Sequence, residues 1–175
     1  MSVTIERYSS LTSLLNELEN LTSLTTFDAK KCLSLISLPI ELDDFTSLTT
    51  FDIKRCSSLK SLPKKLDNLT NLTTLRISKC SSLTSLSIIL DNFIFITTLG
   101  NFISLTTFDI NWCSILTSLP NELDNFTSLI IFNVEKYSSL ISLPNELSNV
   151  TFFIAFHLSE YSSLTSLSKK SSIKF

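Results

Sequence analysis

Between Leu48 and Leu69 the apolar residues fall at Leu48, Phe51, Ile53, Leu59, Leu62, Leu66 and Leu69. Phe51 and Ile53 alternate with polar neighbours, the period of a strand with one buried face. The later steps of three and four suit a looser helical or 3₁₀ return path. The phrase then recurs along the chain. Its SSL-type leucine stands at Leu11, Leu35, Leu59 and Leu83, evenly spaced by two dozen positions, and resumes after one longer step at Leu116, Leu140 and Leu164. A unit this short cannot bury its own apolar edge. Stacked on copies of itself it can, with neighbouring strands about 4.8 Å apart.

The longer step comes from LDNFIFITTLGNFISLTT, residues 90–107, where Asp91-Asn92-Phe93 and Gly100-Asn101-Phe102 occupy equivalent steps nine residues apart. The insertion is expected to bulge on the convex side and to leave the strand columns in step. One reading makes it an adhesive apolar loop built from Phe93, Ile94, Phe95, Ile96 and Phe102. The other makes it a tandem duplication, tolerated because a surface insertion adds little closure entropy. Duplication is favoured. Where other units read NLTSLTT this one reads NFIFITT, and Thr→Ile, Ser→Phe and Leu→Phe each follow from a C-to-T change.

The full pattern, L-x-x-L-x-L-x-x-C-x-x-L-x-x-L-P, resembles the leucine-rich repeat in its cysteine-containing, plant-type form, whose unit has this same length. The wording CSSLKSLPKKLDNLT, from Cys56, is similar to repeats of plant cytosolic immune receptors and Ras-pathway scaffold proteins. The resemblance implies an α/β solenoid. It would carry a parallel β-sheet on its concave face and short helical, 3₁₀ or irregular segments on its convex face. It covers residues 1–175 as a single domain of about seven repeats with uncapped ends. It also implies a non-catalytic module that binds a partner protein on the concave face. The alternative is a structural array fragment of a larger receptor, self-associating end to end. Two departures stand out. Cys32, Cys56, Cys80 and Cys113 fill the turn slot, but Tyr8, Tyr137 and Tyr161 replace them elsewhere. A phenol there should loosen the turn or swing outward. The proline of the S-L-P step, present at Pro39, Pro63, Pro120 and Pro144, gives way to Leu15, Ser87 and Ser168.

Composition sharpens this picture. One Gly and four Pro in 175 residues leave little conventional punctuation, so other residues must make the turns. A net charge of −2 argues against general attraction to nucleic acid or anionic membrane. The opening MSVTIERYSS lacks the apolar run of a signal peptide, and no apolar segment is long enough to span a bilayer. Four cysteines without a CxxC fit a thiol-keeping compartment, so a cytoplasmic protein is expected. Five N-x-T sequons then read as one phrase copied, not as glycosylation sites.

The strand register assigns the outward positions. One column holds Thr26, Thr50, Thr74, Thr107, Ile131 and Ala155, and the next Asp28, Asp52, Arg76, Asp109, Asn133 and His157. Beyond them lie Lys30, Lys54, Ser78, Asn111, Glu135 and Ser159, then Lys31, Arg55, Lys79, Trp112, Lys136 and Glu160. Basic residues gather in the first three full units, a gradient that could orient a partner with an acidic patch. Against that stands the reading that these are solvating side chains. Trp112 is the sharpest candidate, since an exposed indole suits an interface anchor. Its rival role is to fold over Tyr137 or the Lys136 stem. The partner-binding set is therefore Trp112, Arg55, Lys79, Arg76, Asp52, Asp109, Lys54 and Lys31. Asp28 and Asp52 should stand about 5 Å apart, but on an open surface beside lysines rather than in a cleft. His157 is the one histidine, and the cysteines should point inward as small fillers. No catalytic residue, cofactor or metal is expected.

Overall fold

The computed structural model describes residues 1–14, 21–38, 45–62, 69–84, 104–116, 128–135, 139 and 155–159. Among the described residues, seven five-residue strands form one sheet in chain order: β1 Ser2–Glu6, β2 Thr26–Lys30, β3 Thr50–Lys54, β4 Thr74–Ser78, β5 Thr107–Asn111, β6 Ile131–Glu135 and β7 Ala155–Ser159. Every neighbouring pair is parallel. Each strand therefore begins the next coil, and the chain must cross over in one sense between them. β1 precedes the first leucine of the repeat phrase. Its signal is Val3-x-Ile5, which lies in register with Phe27 and Ala29.

Thr74 pairs with Thr107 across the longest unit, so the columns stay in step despite the insertion. The duplicated segment itself lies outside the described residues, positions 104–107 excepted. So do the proline positions and the convex segments expected to be helical or irregular.

The core follows from the alternation within the strands. Phe27, Phe51, Leu75, Phe108 and Phe132 occupy one inward column and are fully or almost fully buried. Phe27 stacks on Phe51 at 5.4 Å between ring centroids, and Phe108 on Phe132 at 5.6 Å. Leu75 separates the two stacks. Ala29, Ile53, Ile77, Ile110 and Val134 form the second inward column, and Leu35, Leu59, Leu83 and Leu116 back them from the return side.

A threonine ladder runs just ahead of the strands. The Thr25 carbonyl accepts three hydrogen bonds from the next coil: the N–H groups of Thr49 and Thr50 and the Thr49 hydroxyl, at 2.9, 3.1 and 3.0 Å. The Thr49 carbonyl is served in the same way by Thr73 and Thr74, and the Thr73 carbonyl by Thr106 and Thr107. The doubled threonine of the repeat phrase thus divides its labour. Its first member ties coil to coil and its second faces outward. The ladder lapses at Ile130, which keeps its N–H bond to the Thr106 carbonyl at 2.9 Å but has no hydroxyl and is exposed. Ile130→Thr should restore the third bond and raise stability by about 1 kcal/mol in urea denaturation. An unchanged midpoint would deny the hydroxyl that role.

The turns out of the strands use residues that ordinarily avoid such geometry. Arg7, Lys31, Arg55, Lys79 and Trp112 all have positive φ, between 57° and 63°. A side chain in this left-handed region costs about 1–2 kcal/mol over glycine-like freedom. Pairing between coils compensates. Each of these residues donates its N–H to the last strand carbonyl of the following coil, at 2.8–3.0 Å. Here is the substitute for missing glycine.

Candidate functional site

Beyond the left-handed residue the chain enters the slot of Cys32, Cys56, Cys80 and Cys113, all free and buried. The N–H three residues on closes each turn onto the cysteine carbonyl at 3.2 Å. The thiols reach back one coil: Cys32 Sγ lies 3.7 Å from the Ile5 carbonyl and Cys56 Sγ 3.6 Å from that of Ala29. Burial pushes the Cys56 and Cys80 thiols up to about 12 and that of Cys113 to about 11. Such thiols stay protonated, the opposite of a nucleophile or a metal ligand. Among the described residues no group of three or more His, Cys, Asp or Glu is placed to hold a metal ion. Where Tyr8 takes the cysteine slot the residue is 59% exposed, in keeping with a phenol that swings outward. Tyr137 and Tyr161 lie outside the described residues.

The outward face of the sheet is organised by column. Asp28, Asp52, Arg76, Asp109 and Asn133 stand side by side in register. Contrary to the open surface expected for the aspartates, these are half-buried between their neighbours. Asp28 pairs with Lys30 on its own strand, which holds the Lys30 ammonium above its usual range. Burial raises the Asp52 carboxyl, and the Asp28 charge beside it adds to the rise. Burial likewise raises Asp109, with the Arg76 guanidinium opposing it. Asp109 also accepts a hydrogen bond from the Asn111 amide. The carbonyl oxygen of that amide accepts from the Glu135 N–H at 2.9 Å, locking this part of the column.

The next two columns are basic only over the earlier coils, at Lys30, Lys31, Lys54, Arg55 and Lys79. Lys54 and Arg55 are exposed, as is Arg76 among the aspartates, while Lys31 and Lys79 are half-buried. Lys31 reaches Glu6 at 3.3 Å, and Arg7 reaches the same carboxylate at 3.4 Å. Trp112 is 44% exposed, and the Lys79 ammonium lies 5.2 Å from its ring centroid. The indole thus faces the preceding coil, and Lys136 and Tyr137, the neighbours expected for it, lie outside the described residues. The lysine is held over the ring by a cation–π contact. Of the eight residues expected to bind a partner, Asp52, Lys54, Arg76 and Asp109 lie in β3 to β5, and Lys31, Arg55, Lys79 and Trp112 in the turns that follow β2 to β5. His157 is in β7, opposite Asn133 in the strand register. No helix of the described residues is long and apolar enough to cross a membrane.

No family model matches the chain, and no curated protein sequence does. Among solved structures it is similar to the leucine-rich repeat domain of the type III effector XopL, with a TM-score of 0.66 at 19% identity, covering 87% of this chain and 58% of that one. It is also similar to an internalin from Listeria monocytogenes, with a TM-score of 0.46 at 22% identity, covering 90% of this chain and 56% of that one. The chain thus spans less than two thirds of either protein. The likeness to the XopL domain and the all-parallel sheet together establish a leucine-rich-repeat solenoid, its coils recurring at the interval of the repeat phrase.

Proposed function

We propose that this chain is a non-catalytic recognition module. It binds a partner protein across the concave face of its sheet through Lys31, Asp52, Lys54, Arg55, Arg76, Lys79, Asp109 and Trp112. The observation that carries this reading is the strict strand register, which aligns charged and aromatic side chains from consecutive coils on one hydrogen-bonded base. A rigid base matters because side chains on it lose less freedom on binding than those of a loop. The neighbouring Asp column disfavours nucleic acid, whose phosphates it would repel. A single repeat domain, membership of the cysteine-containing plant-type group and a reducing, cytoplasmic setting belong to the same reading, supported by the buried free thiols.

Affinity capture with the purified chain as bait tests it. Two variants are compared with the parent: Asp52→Ala/Arg76→Ala/Asp109→Ala in the middle of the sheet, and Arg55→Ala/Lys79→Ala/Trp112→Ala at its edge. A partner held by the parent should be lost by at least one variant while circular dichroism stays unchanged. Equal capture by all three would exclude the face. The second reading is self-association through the sheet edges, whose strands carry unpaired backbone groups that can template pairing. Light scattering on the same preparations would remove it by showing a monomer mass at every concentration.

A further inference from the structure

The five left-handed residues form a rim along the ends of the strands. Arg7, Lys31, Arg55 and Lys79 are cationic, and Trp112 is the last of the row among the described residues. Strands are about 4.8 Å apart, so the row is about 19 Å long, the reach of about six extended residues. The backbone of this rim is already used, because each N–H is donated to the next coil at 2.8–3.0 Å. A ligand there meets side chains, not main chain.

Charge varies along the rim and across the sheet. Glu6 answers Arg7 and Lys31 at one end. Among the described residues no carboxylate lies within salt-bridge distance of Arg55, Lys79 or the adjoining Lys54. Two columns inward stand Asp28, Asp52 and Asp109, with the exposed Arg76 between the last two; burial raises both of those carboxyls and Arg76 opposes the rise. An acidic ligand is repelled from the middle of the sheet and attracted to its edge. The half-exposed indole beside Lys79 offers an apolar contact that a uniformly charged polymer would not use.

We propose that this rim is a docking track for an acidic peptide segment running across the strands. Its carboxylates pair with Arg55, Lys54 and Lys79, and an apolar or aromatic residue covers Trp112. This rests on the recognition reading above and gives its partner a chemical class. Long unbranched cations can adjust to the mismatch between strand spacing and the repeat of an extended peptide, which a bare backbone could not.

The probe is a fluorescein-labelled peptide of five glutamates followed by phenylalanine, titrated against the full chain by anisotropy. Unlabelled peptide is followed in parallel through the emission of Trp112, the one tryptophan in the sequence. Saturable binding and a shift of that emission to shorter wavelength are expected. Arg55→Glu/Lys79→Glu should weaken binding by about tenfold or more, and the neutral pair Arg55→Gln/Lys79→Gln by less. Lys60→Glu, an exposed cation on the return side of the coil, should leave binding within about twofold. Several results would overturn the proposal: no saturable binding up to about 1 mM, an unmoved Trp112 emission, equal loss in Lys60→Glu, or equally tight binding of oligouridylate. If capture of a partner is lost only in the mid-sheet variant, the rim falls while the recognition reading stands.

Discussion

Phe51→Ala should cost about 3–5 kcal/mol in denaturant unfolding, much of the stability an average domain possesses. Phe51 is fully buried, stacks on Phe27 at 5.4 Å and meets Leu75 on its other side. Deleting the ring removes its transfer energy and opens a cavity that two neighbouring coils share. The aromatic pairing itself accounts for about 0.5–1.5 kcal/mol of that cost. Because each coil touches only its neighbours, the damage concentrates at two interfaces and should broaden the transition as the array loses cooperativity. The outward Lys54→Ala on the same strand should stay within about 0.5 kcal/mol. Comparable losses from the two changes would mean that the column does not hold the coils together.

The second large effect is chemical. At pH 8, iodoacetamide should modify Cys56 and Cys80 about a thousandfold more slowly than an ordinary thiol, since a value near 12 leaves about one thiolate in ten thousand. The sign follows from burial, which penalises the anion and keeps the proton. Raising the pH should therefore accelerate labelling about tenfold per unit well past the range where free cysteine levels off. Cys32 is raised by the same cause, but the coil that covers it is the partly exposed first one, so it should react earlier. Mass spectrometry of timed samples distinguishes the sites. Ordinary reactivity at Cys80 in the folded chain would contradict the packing.

Much of the fold could be read from side-chain periodicity. Phe51-x-Ile53 and its repeats carry the inward columns, and a constant spacing makes the strands pair in register. The site was legible as columns because alternation assigns each position a face. Other features depend on quantities periodicity does not contain. The sign of φ at Lys31 or Trp112 leaves no mark in an apolar pattern, and scarce glycine only says that some residue must turn the chain. The bond from Thr49 to the Thr25 carbonyl was hidden because alternation assigns faces within the strand and does not say what the residue just before it bonds to. Ion pairing was hidden too. Glu6 gathers Arg7 and Lys31, and Asp28 engages Lys30, through side-chain reach that register alone does not specify.

The left-handed turns also limit which side chains these positions can carry. A side chain branched at Cβ crowds the backbone at positive φ, so valine, isoleucine and threonine are poorly tolerated at positions 31, 55, 79 and 112. Charge and aromaticity can be exchanged there, but shape near the main chain cannot. Variation at these four positions would be written in long, unbranched letters.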